Sequence, residues 1–382
     1  MEAKMGYCFY CQSEQAEADS TLEHVIPQFL GGAHAPDWLK TRDVCKRCNS
    51  NLGLFVDAAF EKNWAVSNWL RNSSDAYYDP ANPAGVSLVC MGICDLLPPD
   101  APDEHVCELW LGPHGEQVFW IRPHDDKMAS YVGGNPRTMK TVETRAYFLF
   151  SEQSHKDLLK TWLSFEQAFK GRKVKKLLGT IVEGADPADI GFATADEVDL
   201  ARFDFFKNKS NDMPMREIRV TMSRDFDHRF LSKIAIGIGY CLFGPKTLYT
   251  DYGVELHNGL WFRNGQSTPS VLGRSLFGGE RDPQLSAIIG IPNAVTIALI
   301  RTSEGVAVNL NINSILNSTV LCAHEALLSE EDIEKIGDGK IVILARPINA
   351  GVVLELPDYL AHIAGIKENP QLASIVERAK RT

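Results

Sequence analysis

Two Cys-x-x-Cys pairs stand near the start of this chain, Cys8-Phe9-Tyr10-Cys11 and Cys45-Lys46-Arg47-Cys48, with the 33 residues 12–44 between them. Thiolates at this spacing reach one metal ion together, because the turn between them sets both sulfurs on one side. Two such pairs complete a tetrahedral four-sulfur zinc site. Residues 1–60 have no long apolar periodicity, so a segment of this size depends on the metal as a staple. The competing readings are four buried free thiols or a redox pair. No βαβ pattern surrounds the motif to support the second. The zinc site is closed and does no chemistry itself, so the residues between the pairs decide what the segment does.

The remaining cysteines, Cys90, Cys94, Cys107, Cys241 and Cys322, are scattered. They read as small buried hydrophobes in a reducing compartment. The N-terminus has no apolar leader core, and no run of about 18 apolar residues offers a membrane span. Cytoplasm is therefore the expected location, with no membrane partner. The net charge is −10, from 39 basic and 49 acidic residues. That argues against a sequence-blind duplex binder with a broad basic face, but leaves room for a local basic patch.

The 382 residues allow two or three domains. Leu52, Phe55, Val56, Ala59 and Phe60 recur at helical spacing, predicting a helix over 49–65 and a second over 64–72. Residues 73–85 read as a linker. From 86 to 150 the pattern favours strands, with a hairpin over 107–121 turning at Gly112-Pro113-His114-Gly115. Residues 152–170 read as an amphipathic helix, followed by a basic run at Lys170, Arg172, Lys173, Lys175 and Lys176. That run suits either a solvated helix end or a nucleic-acid backbone. A helix over 224–243, hairpins over 294–310 and 340–356, and a short helix capped by Ser329 complete the pattern. Asp251, Glu255, His257 and Trp261 cluster in sequence, but their spacing demands no site. The fold class expected is α+β, with a small N-terminal zinc domain over 1–72 and a mixed α+β region over 86–382, as one body or two subdomains.

Within the cysteine frame the order is Glu23-His24-Val25-Ile26-Pro27, Gly31-Gly32, then Asn49 directly after Cys48. A histidine beside apolar residues is often a satisfied core residue, but the acidic neighbour and the two zinc pairs favour chemistry. These elements, in this order over residues 6–57, about one seventh of the chain, resemble the zinc-stabilised branch of the HNH (ββα-metal) nucleases. The resemblance implies a small ββα-metal domain in which His24 is the general base. It implies a divalent cation, Mg²⁺ or Mn²⁺, held by the amide oxygen of Asn49 and the carboxylate of Glu23. Cys8, Cys11, Cys45 and Cys48 would hold the structural zinc. Arg42, Lys46 and Arg47 form a local positive face for nucleic-acid phosphates.

Two positions depart from the pattern. Glu23 stands where Asp is common, one methylene longer. No asparagine precedes Cys45, and Asp43 is the residue available to tie that loop. Asn51 and Asp57 lie further along the helix, where a solvated face is the competing reading.

The reading is a metal-dependent HNH endonuclease hydrolysing DNA, with RNA left open as a substrate. A bacterial restriction or anti-phage setting is expected by architectural analogy. There the long remainder supplies target recognition or activation, with a small-molecule activator or a homo-oligomer compatible with its length. Two alternatives stand beside it. One is a zinc-ribbon module that binds nucleic acid without cutting it. The other is a nuclease effector gated by a nucleotide second messenger.

Overall fold

The computed structural model describes residues 5–81, 86–180, 186–212, 217–223, 225–263, 265–274 and 288–379. The first segment is two short hairpins and a broken helix. Strand β1 (Met5–Cys8) pairs antiparallel with β2 (Ser13–Ala16), and β3 (Ser20–His24) with β4 (Lys40–Cys45). Between β3 and β4 the chain makes three single-turn helices. Gly31 there has φ 95°, and a Cβ on Gly32 would lie 1.7 Å from the Ile26 carbonyl oxygen, so no side chain fits. Helix α1 (Lys46–Leu52) comes next, then a π turn (Gly53–Asp57), then α2 (Ala58–Glu61). The single regular helix expected over 49–65 is thus interrupted. A π turn takes one extra residue and so rotates the helical turn after it. Leu52, Val56, Ala59 and Phe60 are buried as expected, but Phe55 is 50% exposed.

The chain then builds a second compact unit, Lys62–Met222. Its elements are α3 (Trp64–Asp75), β5 (Val89–Cys94), β6 (His105–Leu111), β7 (Gln117–Pro123), α4 (Thr138–Thr141), β8 (Thr144–Leu149), α5 (Leu158–Gln167), β9 (Val174–Leu178), α6 (Glu197–Asp212) and β10 (Ile218–Arg219). The six strands form one sheet in the order β10-β5-β6-β7-β8-β9, antiparallel except for the β8–β9 pair. Alternating side chains feed two cores. Trp110, Trp120, Phe148 and Phe165 fill one face. Phe119, Tyr147, Phe203 and Phe206 fill the other. The hairpin turns at Gly112–Gly115, as its sequence predicts. The helix expected over 152–170 is confined to α5, with Asp157 as its cap. The basic run lies past its end: Lys173 is exposed, and Lys175 pairs with the fully buried Asp199 at 2.6 Å from within β9. It is not a solvated helix end.

The third segment contains α7 (Asp225–Phe243), α8 (Asp251–Leu260), β11 (Gly273–Arg274), β12 (Val295–Thr302), β13 (Gly305–Ile312), β14 (Leu316–His324), α9 (Glu330–Ile336), β15 (Lys340–Ala345), β16 (Ala350–Glu355), α10 (Leu356–Ile363) and α11 (Pro370–Ala379). Its antiparallel sheet runs β11-β14-β13-β12-β15-β16, and both predicted hairpins are present. Ser329 caps α9 through a capping box with Asp332. Arg224, the first residue of the helix expected over 224–243, lies outside the described residues.

Compactness joins this third segment to the first: Met1–Glu61 and Ser223–Arg381 make one unit. The units therefore divide differently from the expected 1–72 and 86–382. The reason is that the zinc segment completes its core with α7. Phe230 stacks on Phe60 at 3.8 Å, and Tyr240 stacks on Phe9 at 4.4 Å. Gly237 makes room for Val25, whose Cγ1 would be 2.6 Å from a Cβ there. The loop between β3 and β4 also meets the β15–β16 turn, where Gly351 sits against the His34 carbonyl.

At the centre of this contact is a buried set of charges. Lys233 of α7 lies 3.0 Å from Glu23 and 2.6 Å from Asp57. Tyr10 donates its hydroxyl to Glu23 at 3.3 Å. Burial pushes the carboxyl pKa of Glu23 and of Asp57 up, against the pull of Lys233. Burial also works against the Lys233 ammonium, but Asp57 and Glu23 outweigh it and hold its pKa above the ordinary lysine value. Two carboxylates thus share one cation. Lys233→Met leaves both without it. The expected cost is about 3–5 kcal/mol in urea unfolding. Carboxylates whose folded pKa is raised contribute stability below their unfolded pKa and lose it as pH rises, so the deficit should be larger at high pH than at low. A deficit that does not change with pH would remove the carboxylates from the account.

Candidate active site and zinc centre

Cys8 ends β1, Cys11 sits in the β1–β2 turn, Cys45 ends β4 and Cys48 lies in the first turn of α1. Cys45 caps that helix, its sulfur accepting the Cys48 amide at 3.3 Å. All four sulfurs lie within 4.8 Å of one another. A tetrahedron of zinc–sulfur bonds of about 2.3 Å needs sulfurs about 3.8 Å apart, so a small closure suffices. The thiols do not ionise independently. A hydrogen bond to Cys48 pulls Cys8 down to about 4, and the same bond pushes Cys48 up. A bound dication relieves that conflict, because each sulfur then becomes a thiolate ligand. The β1–β2 turn is held from α8, where His257 Nε2 lies 2.9 Å from the Phe9 carbonyl oxygen and Nδ1 lies 2.8 Å from that of Gly253.

A zinc ion at this point would pin β4 and α1, and β4 carries β3. Successive side chains on a strand point to opposite faces. Glu23 therefore turns inward to Lys233 and is 3% exposed, while His24 turns outward and is half-buried. The resemblance implies that Glu23 holds the cation beside the base His24. The strand separates them, and the Glu23 carboxylate is engaged by Lys233 and Tyr10. His24 faces Lys40 across the strand pair. Partial burial and the Lys40 charge lower its pKa below the ordinary histidine value, so the imidazole is neutral at pH 7.

Asn49 faces the same strand from α1. Its amide nitrogen donates to the Thr21 hydroxyl at 3.0 Å and to the Leu22 carbonyl at 3.1 Å. Both donors are thereby spent on β3, and the amide oxygen is left as a hard acceptor. Arg42, Lys46 and Arg47 are exposed, the first on β4 and the other two in the first turn of α1. The Asp43 carboxylate accepts from Thr41 at 3.2 Å and from Tyr240 at 3.0 Å. Strand β4 is thus tied to α7 by a tyrosine, in addition to the bonds of the Asp43 backbone to Thr41 and Phe9.

Lys233 and Tyr240 are the residues that sequence reasoning missed. Each lies within the predicted helix over 224–243. A lysine in the apolar stretch around 230–243 was the available signal.

A family model matches this segment. Residues 8–65 match the HNH endonuclease family. The match covers the zinc cysteines, Glu23, His24 and Asn49. No match was found among proteins of curated function or among solved structures. The HNH segment therefore carries a nuclease-type domain, and among the described residues no helix is long and apolar enough to cross a membrane.

Metal analysis of the purified protein should find about one zinc per chain, falling near zero in Cys45→Ser with loss of the folded HNH segment. Zinc retained at full stoichiometry without Cys45 would contradict the four-sulfur site. The histidine has its own signature. A base acts when unprotonated, so any cleavage should fall as pH drops through the His24 pKa, below about 6.5. Lys40→Met removes a repulsion and raises that pKa. The acid limb of the pH–rate profile should move to higher pH with the plateau little changed. An unmoved limb would mean that another group titrates.

Proposed function

We propose that the protein is a metal-dependent HNH endonuclease that hydrolyses DNA phosphodiester bonds. The observation that carries this reading is a neutral, outward-facing His24 on β3, the strand to which the Asn49 amide is hydrogen-bonded, within the segment framed by the four clustered cysteines. In the mechanism proposed, His24 takes the proton of a water as that water attacks phosphorus. Arg42, Lys46 and Arg47 offer charge to the flanking phosphates.

A divalent cation fits the donor set present. Mg²⁺ and Mn²⁺ favour hard oxygens, keep several waters and take substrate phosphate as a ligand, so a site need offer few protein oxygens. The Asn49 amide oxygen is available for it, since both amide donors are bonded to β3. Such a cation, when bound, supplies positive charge to the leaving 3′ oxygen. We assign Glu23 to the buried ion set and not to this cation, on the strength of its engagement with Lys233.

The setting we propose is restriction or anti-phage defence, with the rest of the chain limiting where and when His24 acts. Its support is the length of the remainder compared with the 58 residues (8–65) of the HNH match. A second reading is a zinc-ribbon that binds nucleic acid without cutting it. It draws on the loss of Glu23 as a cation ligand.

Plasmid cleavage separates the two. Wild-type protein with Mg²⁺ or Mn²⁺ should nick or cut DNA, and EDTA should stop it. His24→Ala should lose activity by about 10²–10⁴-fold with zinc content and circular dichroism unchanged. An RNA substrate run in parallel decides the sugar preference. Equal cutting by His24→Ala would refute the mechanism, and metal-independent binding with no cutting would favour the zinc-ribbon.

A further inference from the structure

The basic run after α5 has a use that the nuclease reading does not absorb. The unit Lys62–Met222 contains a cavity of about 130 Å³. Arg71, Lys170 and Arg172 line it, and among the described residues no carboxylate does. Arg172 lies over the Trp120 ring at 4.9 Å and the Phe169 ring at 5.7 Å. Arg71 lies over the Trp110 ring at 4.9 Å and donates to the Leu88 carbonyl at 3.0 Å.

The carboxylate that acts on Arg172 is already occupied. Glu108 is buried and accepts Arg122 at 3.0 and 3.3 Å, the Gly133 amide at 3.1 Å and the Trp110 indole at 3.1 Å. The Arg172 side chain has aromatic faces for neighbours and no hydrogen-bond acceptor among the described residues. Loss of water lowers it to about 10, Glu108 opposes this, and the charges of Arg71 and Arg122 add to the fall. Among the described residues Glu108 is the carboxylate that acts on Arg172, against the like charges of Arg71 and Arg122.

The backbone that builds the wall is strained. Phe169 has φ 59° and Gly171 φ 77°, and a bulky residue pays for that conformation unless its surroundings hold it. Phe169 is held by burial between Trp110 and Trp120. The turn brings Arg172 under the rim and leaves Lys170 exposed beside it.

Guanidinium groups in this density suit a phosphate, whose oxygens accept paired N–H donors. The cavity is well below the roughly 300–1,000 Å³ that encloses a drug-sized ligand. It has room for a phosphate group and not for a base and sugar besides. A diester passing over the surface keeps chain on both sides of its phosphorus and cannot sink into such a recess, whereas a terminal phosphate can. We propose that this cavity binds the terminal phosphate of a phosphomonoester, carried either by a small molecule or by the phosphorylated end of a nucleic-acid strand.

Titration calorimetry on the full-length, zinc-loaded protein tests it. The probes are inorganic phosphate, adenosine 5′-monophosphate, and a short DNA oligonucleotide with a 5′-phosphate or a 5′-hydroxyl. Inorganic phosphate should bind saturably, and Arg172→Gln or Arg71→Gln should weaken it about tenfold or more, the loss of one charge-assisted hydrogen bond. Ser87→Glu puts a carboxylate into the cavity while leaving both arginines on their rings, so it should abolish binding even if an arginine variant fails to fold. A preference for the phosphorylated oligonucleotide over its hydroxyl twin identifies a strand end as the source. Binding of the monophosphate without that preference identifies a small molecule. No saturable phosphate binding by the wild type overturns the proposal, as does equal binding by wild type and Ser87→Glu. The readout is binding, so it does not depend on whether His24 cuts.

Discussion

One buried ammonium holds two carboxylates that the zinc segment cannot leave in water. Glu23 comes from β3 and Asp57 from the turn after α1, and both end on Lys233 of α7. Burying charge is costly unless it is paired, so this set forms only when three parts of the chain arrive together. It gives the strand that bears His24 a fixed depth and rotation. A short ββα unit stapled by zinc has little apolar area of its own. The stacking of Phe60 on Phe230 and of Phe9 on Tyr240 supplies the rest. The long remainder of the chain is therefore partly structural: residues 223–381 complete the core of the nuclease segment.

Strand alternation then divides the work of Glu23 and His24. Adjacent residues on β3 face opposite ways, so an inward Glu23 guarantees an outward His24. The same carboxylate that sequence resemblance would give to a cation is used to set the position of its neighbour. In the mechanism we propose, a cation would rely on the Asn49 amide oxygen, whose amide nitrogen is bonded to Thr21 and Leu22. The extra methylene of Glu23 over Asp lengthens the reach into the core. Asp43 repeats the pattern, with its carboxylate bonded to Tyr240 of α7.

The unit of residues 62–222 obeys a different logic. Its sheet is covered on both faces by aromatic side chains, and Arg172 and Lys176 of the basic run lie over rings. Lys175 finds Asp199, which also accepts Arg145 and Tyr147. Arg172 finds only rings and the already occupied Glu108. Two residues of one run thus meet opposite fates, because the first is in β9 and the second in the turn before it.

Local patterns were readable in the sequence. Cys-x-x-Cys spacing is a property of a turn, and the four thiols do converge. Hairpins with Gly-rich turns, the capping box at Ser329 and the apolar helix through 243 depend on neighbours within a few residues, and each is present. The order of motif elements was enough to name a nuclease-type segment, which the family match over residues 8–65 bears out. What needed tertiary structure was every outcome set by a distant partner. The π turn that exposes Phe55 is invisible to a period of 3.6. The assignment of Glu23 required Lys233, 210 positions further on (233 − 23). The joining of the two chain ends into one unit, and the gathering of Arg71 and Arg172 around one cavity, are of the same kind. Sequence spacing fixes which side chains a turn or strand presents, but charge pairing and burial are settled by whichever residues the fold brings opposite them.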